Sequence, residues 1–280
     1  MLRALALSFA MVAVALAFSG AQTTPPAAET SVAEDSAAEN ELLAAANNSR
    51  RLAGVPPLKV DESLREAARA HARLMVAADR LEHQLPGELS LLQRIAEASP
   101  AKEPLKVDRV GENIAYASGA SSANDALMHS PPHRRNLLDS GFNVAGIAAI
   151  WSKGRLYVAQ DFAHEVQSYS AQESGQLVGR AVKEMREQAG MPELKQVRPP
   201  KLDEAACSLA KENQPNAHLL ATAYENRRII TYTQSRPEVV PEAAMRLLQD
   251  PAVRQFAVGS CYARNAQYPT GTYWVAILLY

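Results

Sequence analysis

Beginning at Asp61, apolar positions recur at Leu64, Ala67, Ala68, His71, Ala72 and Met75, the i, i+3, i+4, i+7, i+8, i+11 spacing of one buried helix face. Asp61 suits the N-cap of that helix. Upstream, residues 41–52 also have helical character, and Gly54 followed by Pro56 and Pro57 ends the run. The period then changes. Residues 144–151 and 155–162 are rich in branched and aromatic residues and flank Ser152-Lys153-Gly154, a hairpin signal, and residues 272–280 form a third run of this kind. An amphipathic helix needs an apolar surface to lie on, and these strands supply one, so the pattern predicts an α+β fold.

Parts of the pattern occur twice. Leu52-Ala53-Gly54-Val55-Pro56-Pro57-Leu58-Lys59 is echoed by Gln188-Ala189-Gly190-Met191-Pro192-Glu193-Leu194-Lys195. Residues 127–134 align with 247–254, which sets Val253 opposite His133 and Arg254 opposite Arg134. Val144-Ala145-Gly146 answers to Ala257-Val258-Gly259, and the strand at 156–162 answers to the run at 272–280. The chain therefore reads as two tandem copies, the second shortened and degenerate. Retention of Arg254 where the histidine is gone favours a structural role for Arg134.

Composition adds a compartment. Arg3 precedes an uncharged apolar run over 4–18, and Ser19-Gly20-Ala21 offers a cleavage site, so residues 1–21 read as a signal peptide. That run is shorter than the roughly 20 residues that span a bilayer, and no other segment is long and apolar enough, so the mature chain should carry no transmembrane segment. Residues 22–39 lack aromatics and are dominated by Ala, Thr, Pro, Ser and Glu, the composition of a disordered leader. Two domains follow, at 40–165 and 175–280, joined by a linker at 166–174. The formal net charge is −1, with basic residues scattered rather than gathered, which argues against a nucleic-acid partner. The two cysteines, Cys207 and Cys261, suit either a disulfide in an oxidising compartment or a pair of buried thiols.

The candidate chemistry lies in the first copy. Leu81-Glu82-His83, Val110-Gly111-Glu112-Asn113 and Ser130-Pro131-Pro132-His133-Arg134-Arg135-Asn136 bring two imidazoles and a carboxylate into one span. Ser130 is a good N-cap and Pro131 suits the first helical position, which puts His133 in the first turn of a short helix. Two His and one Glu leave a position open for water on zinc or another divalent cation. The alternative is a polar cluster that ties loops together by hydrogen bonds. His71, on an apolar stripe, reads as a hydrogen-bonded core histidine, and Asn113 as a turn residue.

In this order the motifs resemble the CAP superfamily of cysteine-rich secretory, antigen 5 and pathogenesis-related proteins. The resemblance covers residues 40–165, from Asn47 and Arg50 through His83, the Gly111-Glu112-Asn113 triplet and His133 to Gln160-Asp161-Phe162. It implies a three-layer α-β-α sandwich with a central cleft, a metal set of His83, Glu112 and His133, and a secreted protein, extracellular or periplasmic. A second glutamate expected in the helix before His133 is missing, since that turn reads Leu127-Met128-His129-Ser130. The function so implied is a binding module for a lipid, cell-wall or protein ligand. A zinc-dependent hydrolase, with Glu82 next to His83 as base, is the competing reading.

Overall fold

The computed structural model describes residues 33–100, 104–225 and 227–280. The signal peptide expected at 1–21 lies outside them. Two sheets organise this part of the chain. The first half contains β1 (Ala33–Glu34), α1 (Ser36–Leu52), β2 (Lys59–Val60), α2 (Glu62–Ala78), α3 (Leu91–Ala98), β3 (Val107–Ala117), α4 (Ala120–His129), α5 (Pro131–Leu137), β4 (Val144–Ser152) and β5 (Arg155–Glu165). The second contains α6 (Ala171–Gln188), β6 (Lys195–Val197), α7 (Leu202–Lys211), α8 (His218–Ala221), β7 (Arg228–Gln234), α9 (Glu242–Leu248), β8 (Gln255–Ala263) and β9 (Thr272–Leu279).

The first sheet runs β1-β4-β5-β3, with β2 added parallel to β4. The β4–β5 hairpin turns through Lys153 and Gly154 at φ 48° and 75°. Two successive positive φ values are what a two-residue type I′ turn requires. One face carries Ile114, Ala148, Ile150, Tyr157 and Ala159 against Ala68, Ala72 and Met75 of α2. The other packs Ile147, Ala149 and Val158 against α1 and α4, and Ala145 and Phe162 against Leu127 and Leu137. The expected α+β sandwich is thus three layers, with β3 at the sheet edge. The helix stripe read from the sequence is the buried face of α2, since Leu64, Ala67, Ala68, His71, Ala72 and Met75 are all buried.

Gly146 lets α2 come this close. A Cβ there would stand 2.0 Å from the Arg65 backbone nitrogen. On the opposite side, buried Arg50 of α1 donates to the carbonyls of Pro56, Leu137, Asp139 and Phe142 at 2.7 to 3.0 Å. One guanidinium therefore satisfies four carbonyls in connections that lack a regular ladder.

The second sheet runs β6-β8-β9-β7, with β6 parallel to β8, which matches β2, β4, β5 and β3 in order and direction. Gly259 meets Leu202 of α7 as Gly146 meets α2, with a Cβ 2.3 Å from the Leu202 carbonyl oxygen. Arg186 donates to the carbonyls of Pro192 and Leu248 at 2.8 and 2.5 Å. Its core gathers Val178, Val182, Tyr232, Phe256, Val275 and Ile277 on one face and Leu202, Leu209, Trp274 and Leu278 on the other. Cys207 of α7 and Cys261 of β8 form a disulfide with their Cα atoms 5.0 Å apart.

Two boundaries and one residue differ from expectation. The last residues of the leader expected over 22–39 belong to the first sheet and α1: Ala33 and Glu34 pair with Trp151 and Ile150, and the Asp35 side chain accepts from the Ala38 amide to start α1. The expected linker at 166–174 is cut short by α6, which opens at Ala171 under a capping box of Ser170 and Glu173. Asn113 lies in the middle of strand β3, fully buried, not in a turn.

Candidate functional site

The edge strand β3 brings the motifs together. Glu112 and Asn113 are consecutive on it, so their side chains leave on opposite faces of the sheet. Glu112 points to the side covered by α2 and α3, and Asn113 to the side of α5. His83, in the connection between α2 and α3, donates from Nδ1 to Glu112 Oε1 at 2.8 Å. Arg94 of α3 donates from Nη2 to the other oxygen, Oε2. The carboxylate is therefore committed on both oxygens.

His133 enters from the far side. The Asn113 amide donates to the His133 carbonyl at 3.1 Å, and Asn136 donates to the Glu112 carbonyl and to Asn113 Oδ1 at 3.1 and 3.0 Å. These bonds fasten α5 to the strand edge. Pro131 opens the helix as expected, but Ser130 makes no side-chain cap bond. Arg134 makes no ion pair with the described residues, whereas Arg254 folds back onto the carbonyls of Pro251 and Val253. The argument from Arg254 to a structural Arg134 is thereby corrected: the same position braces a turn in one half and faces solvent in the other.

The two imidazoles are electrostatically unlike. The hydrogen bond to Glu112 raises the His83 pKa above its ordinary value, although the ring is largely exposed. Burial lowers that of His133, and the charge of nearby His83 adds to the effect. The two shifts run in opposite directions, His83 toward keeping its proton and His133 toward losing it.

Behind them lies a layer that only partly shows in the sequence. His71 is buried and pairs through Nδ1 with Glu88 Oε1 at 2.7 Å, with its Nε2 3.8 Å from Glu112 Oε2. Arg94 also reaches Glu88 Oε1 at 3.1 Å and the His83 carbonyl at 3.3 Å. Asp161 stands directly across from Glu112 in the β3–β5 register and is fully buried. Burial, followed by the charge of Glu112, pushes its pKa well above the usual carboxylate range. Glu88 and Arg94 carry no local motif. Asp161 is marked in the sequence by the Gln160-Asp161-Phe162 segment of the family resemblance and as a charged residue inside a run that otherwise reads as a buried strand.

The geometry bears on the metal set. Among the described residues no three His, Cys, Asp or Glu side chains group as ligands of one ion. Glu112, bonded to the His83 imidazole, has the position of a carboxylate that orients a histidine. The hydrolase reading also needs a carboxylate base, and Glu82 is paired with Arg80.

A groove of about 580 Å³ lies on α4 and α5, lined by Met128, His129, Pro131, Arg134, Arg135 and Leu138. Pro131, Arg134 and Arg135 of α5 and its C-cap Leu138, at i, i+3, i+4 and i+7, form one face of the helix that carries His133. None of the described helices is long and apolar enough to cross a membrane.

Comparison with known proteins places this site in context. Residues 43–162 match the sequence model of the cysteine-rich secretory protein family, CAP. The matched stretch includes His71, His83, Glu112, His133 and Asp161. Over 128 residues the chain is 29% identical to the uncharacterized protein YkwD of Bacillus subtilis (strain 168), an alignment covering 45% of this chain and 47% of that protein. The chain thus spans about half the length of that curated relative. Among solved structures, an extracellular protein containing an SCP domain from Bacillus anthracis is 23% identical over 46% of this chain and 41% of its own, with a TM-score of 0.41. Na-ASP-1 is 9% identical over 87% of this chain and 89% of its own, with a TM-score of 0.47.

Proposed function

We propose that residues 43–162 act as a CAP-type binding module in an exported protein, and that the cleft between His83 and His133 receives a ligand with an acidic group. The observation that carries this reading is the commitment of Glu112 to His83 and Arg94. It keeps His83 inclined to hold a proton, which suits an anion and opposes a metal ion. The groove on α4 and α5 extends the same chemistry, because Met128, Pro131 and Leu138 offer apolar wall beside the guanidiniums of Arg134 and Arg135. Of the lipid, wall and protein ligands the sequence leaves open, a molecule with an acidic head and an apolar body fits best. Export is supported by the N-terminal sequence and by the Cys207–Cys261 disulfide, which belongs in an oxidising compartment.

A second reading keeps a divalent cation. His83 and His133 would hold it through their imidazoles, with Glu112 orienting the first, and its binding would weaken below about pH 6.5 as the imidazoles protonate.

The second half we read as a worn copy of the first that has lost the site. The matching strand order, the paired glycines and the paired buried arginines support it.

Titration calorimetry of the full chain with laurate and, separately, with zinc tests these readings. The acidic-ligand reading expects laurate binding that falls at least tenfold in His83→Ala/His133→Ala and in Arg134→Gln/Arg135→Gln, with dodecanol binding poorly. Laurate binding unchanged in both double variants would overturn it. Stoichiometric zinc binding lost in the histidine variant would establish the second reading instead.

A further inference from the structure

The β4–β5 turn of the first half is Lys153-Gly154, whereas its counterpart between β8 and β9 is the longer loop 264–271. That extra length reaches the first half. Arg264 donates from Nη2 to the carbonyl of Ala96 at 2.7 Å, and its Nε is held by the carbonyl of Pro269 at 2.6 Å. Ala96 lies in the last turn of α3, where carbonyls lack intrahelical partners and the helix dipole favours a cation. Ser99 and Pro100 follow, so the helix cannot continue to satisfy that carbonyl itself.

A second contact secures the other end of the segment. Lys106, just before β3, places its ammonium 3.8 Å from the ring centre of Tyr262 and 5.7 Å from that of Tyr273. Such cation–π contacts strengthen when water is excluded, and burial lowers the Lys106 pKa. Thus the two ends of the α3–β3 connection are both fastened to the second half. Arg94, two residues before Ala96 on the same helix, has its guanidinium on Glu112, Glu88 and the His83 carbonyl.

We propose that the β8–β9 loop is a brace that sets α3, and through it Arg94, against Glu112, so that Arg264 is a positioning residue for the His83 cleft. The second half then has a task that does not require a site of its own. Placement of Arg94 fixes which carboxylate oxygen remains for His83 and how the ring faces the cleft. The proposal deepens the binding reading given above, yet it concerns the geometry of the cleft with nothing bound.

Arg264→Gln and Arg264→Lys in the full chain, with Lys106→Met as an independent release of the second anchor, test it without a ligand. Arg264 is exposed, so its variants should fold. Amide hydrogen exchange over residues 91–99 and the imidazole NMR signals of His83 are the readouts, with exchange of β7–β9 as the control. The brace predicts at least tenfold faster exchange in α3 and displaced His83 signals in Arg264→Gln and Lys106→Met, recovery in Arg264→Lys, and an unchanged control. Unaltered α3 exchange and His83 signals would overturn it. So would equal loss of protection in α3 and β7–β9, since Arg264 would then only hold the fold together. Because no ligand enters the test, its failure leaves the laurate result standing, and the converse holds.

Discussion

Strand register allows the two halves to be compared position by position, and the comparison separates what builds the sandwich from what furnishes the cleft. Gly146 stands opposite Asp161, which stands opposite Glu112; Gly259 stands opposite Ala276, which stands opposite Thr231. One position further on, Asn113 and Gln160 face each other where the second sheet has Tyr232 and Val275. The glycine and the arginine that lock helices to the sheet occur in both halves. The two carboxyl positions on β3 and β5, Glu112 and Asp161, are taken by Thr231 and Ala276 in the second. In the second half, Trp274 and the Cys207–Cys261 disulfide fill and tie the core.

The buried arginines offer the largest test of this division. Arg50→Met strands four carbonyls and Arg186→Met two, so the expected losses of stability are about 5 and about 3 kcal/mol. Urea unfolding of each variant measures both. Equal losses, or a larger one at Arg186, would break the view that the first half relies more on its arginine.

The disulfide sharpens the contrast from the other side. Removing it as Cys207→Ala/Cys261→Ala frees a loop with a sequence separation of 54 residues, which costs about 4 kcal/mol if chain entropy dominates. Hydrogen exchange should locate the weakening in β8 and β9 and spare β4 and β5. A loss spread evenly over both sheets would show that the halves unfold as one unit.

Most of the scaffold was legible because it rests on short-range patterns. The α2 stripe, the Lys153-Gly154 turn and the β9 strand each announce themselves within a dozen residues, and the echo of Leu52–Lys59 in Gln188–Lys195 points to a second module. His83 meets Glu112 of β3, and the His133 carbonyl meets the next residue of that strand, Asn113. What could not be read is the layer behind them. Whether Glu112 faces an ion or a guanidinium depends on where α3 packs, and Arg94 sits on an amphipathic helix like any solvent-facing arginine. Asn113 resembled a turn residue because its amide suits turns, yet its bond to the His133 carbonyl is made across the strand edge. Likewise β7 could not be aligned by sequence, since it shares with β3 only its register, not its residues.

Asp161 gives the smallest and most local test, since its counterpart Ala276 shows that the sandwich does not need a carboxyl there. In the folded chain its pKa is raised, so the folded state retains a proton that the unfolded chain releases above its ordinary value of 3.8. Stability drawn from that proton is complete below about pH 4 and declines as pH rises toward the folded value. Asp161→Asn keeps the shape and removes the titration, and should therefore be the more stable protein at pH 7, by on the order of 1 kcal/mol. The difference should narrow as the pH is lowered toward 4. Thermal unfolding of both proteins across that range decides the matter: a gap that stays constant with pH would mean Asp161 is ionised when folded, and that Glu112 and Arg94 accommodate a second charge which the second half never had to hold.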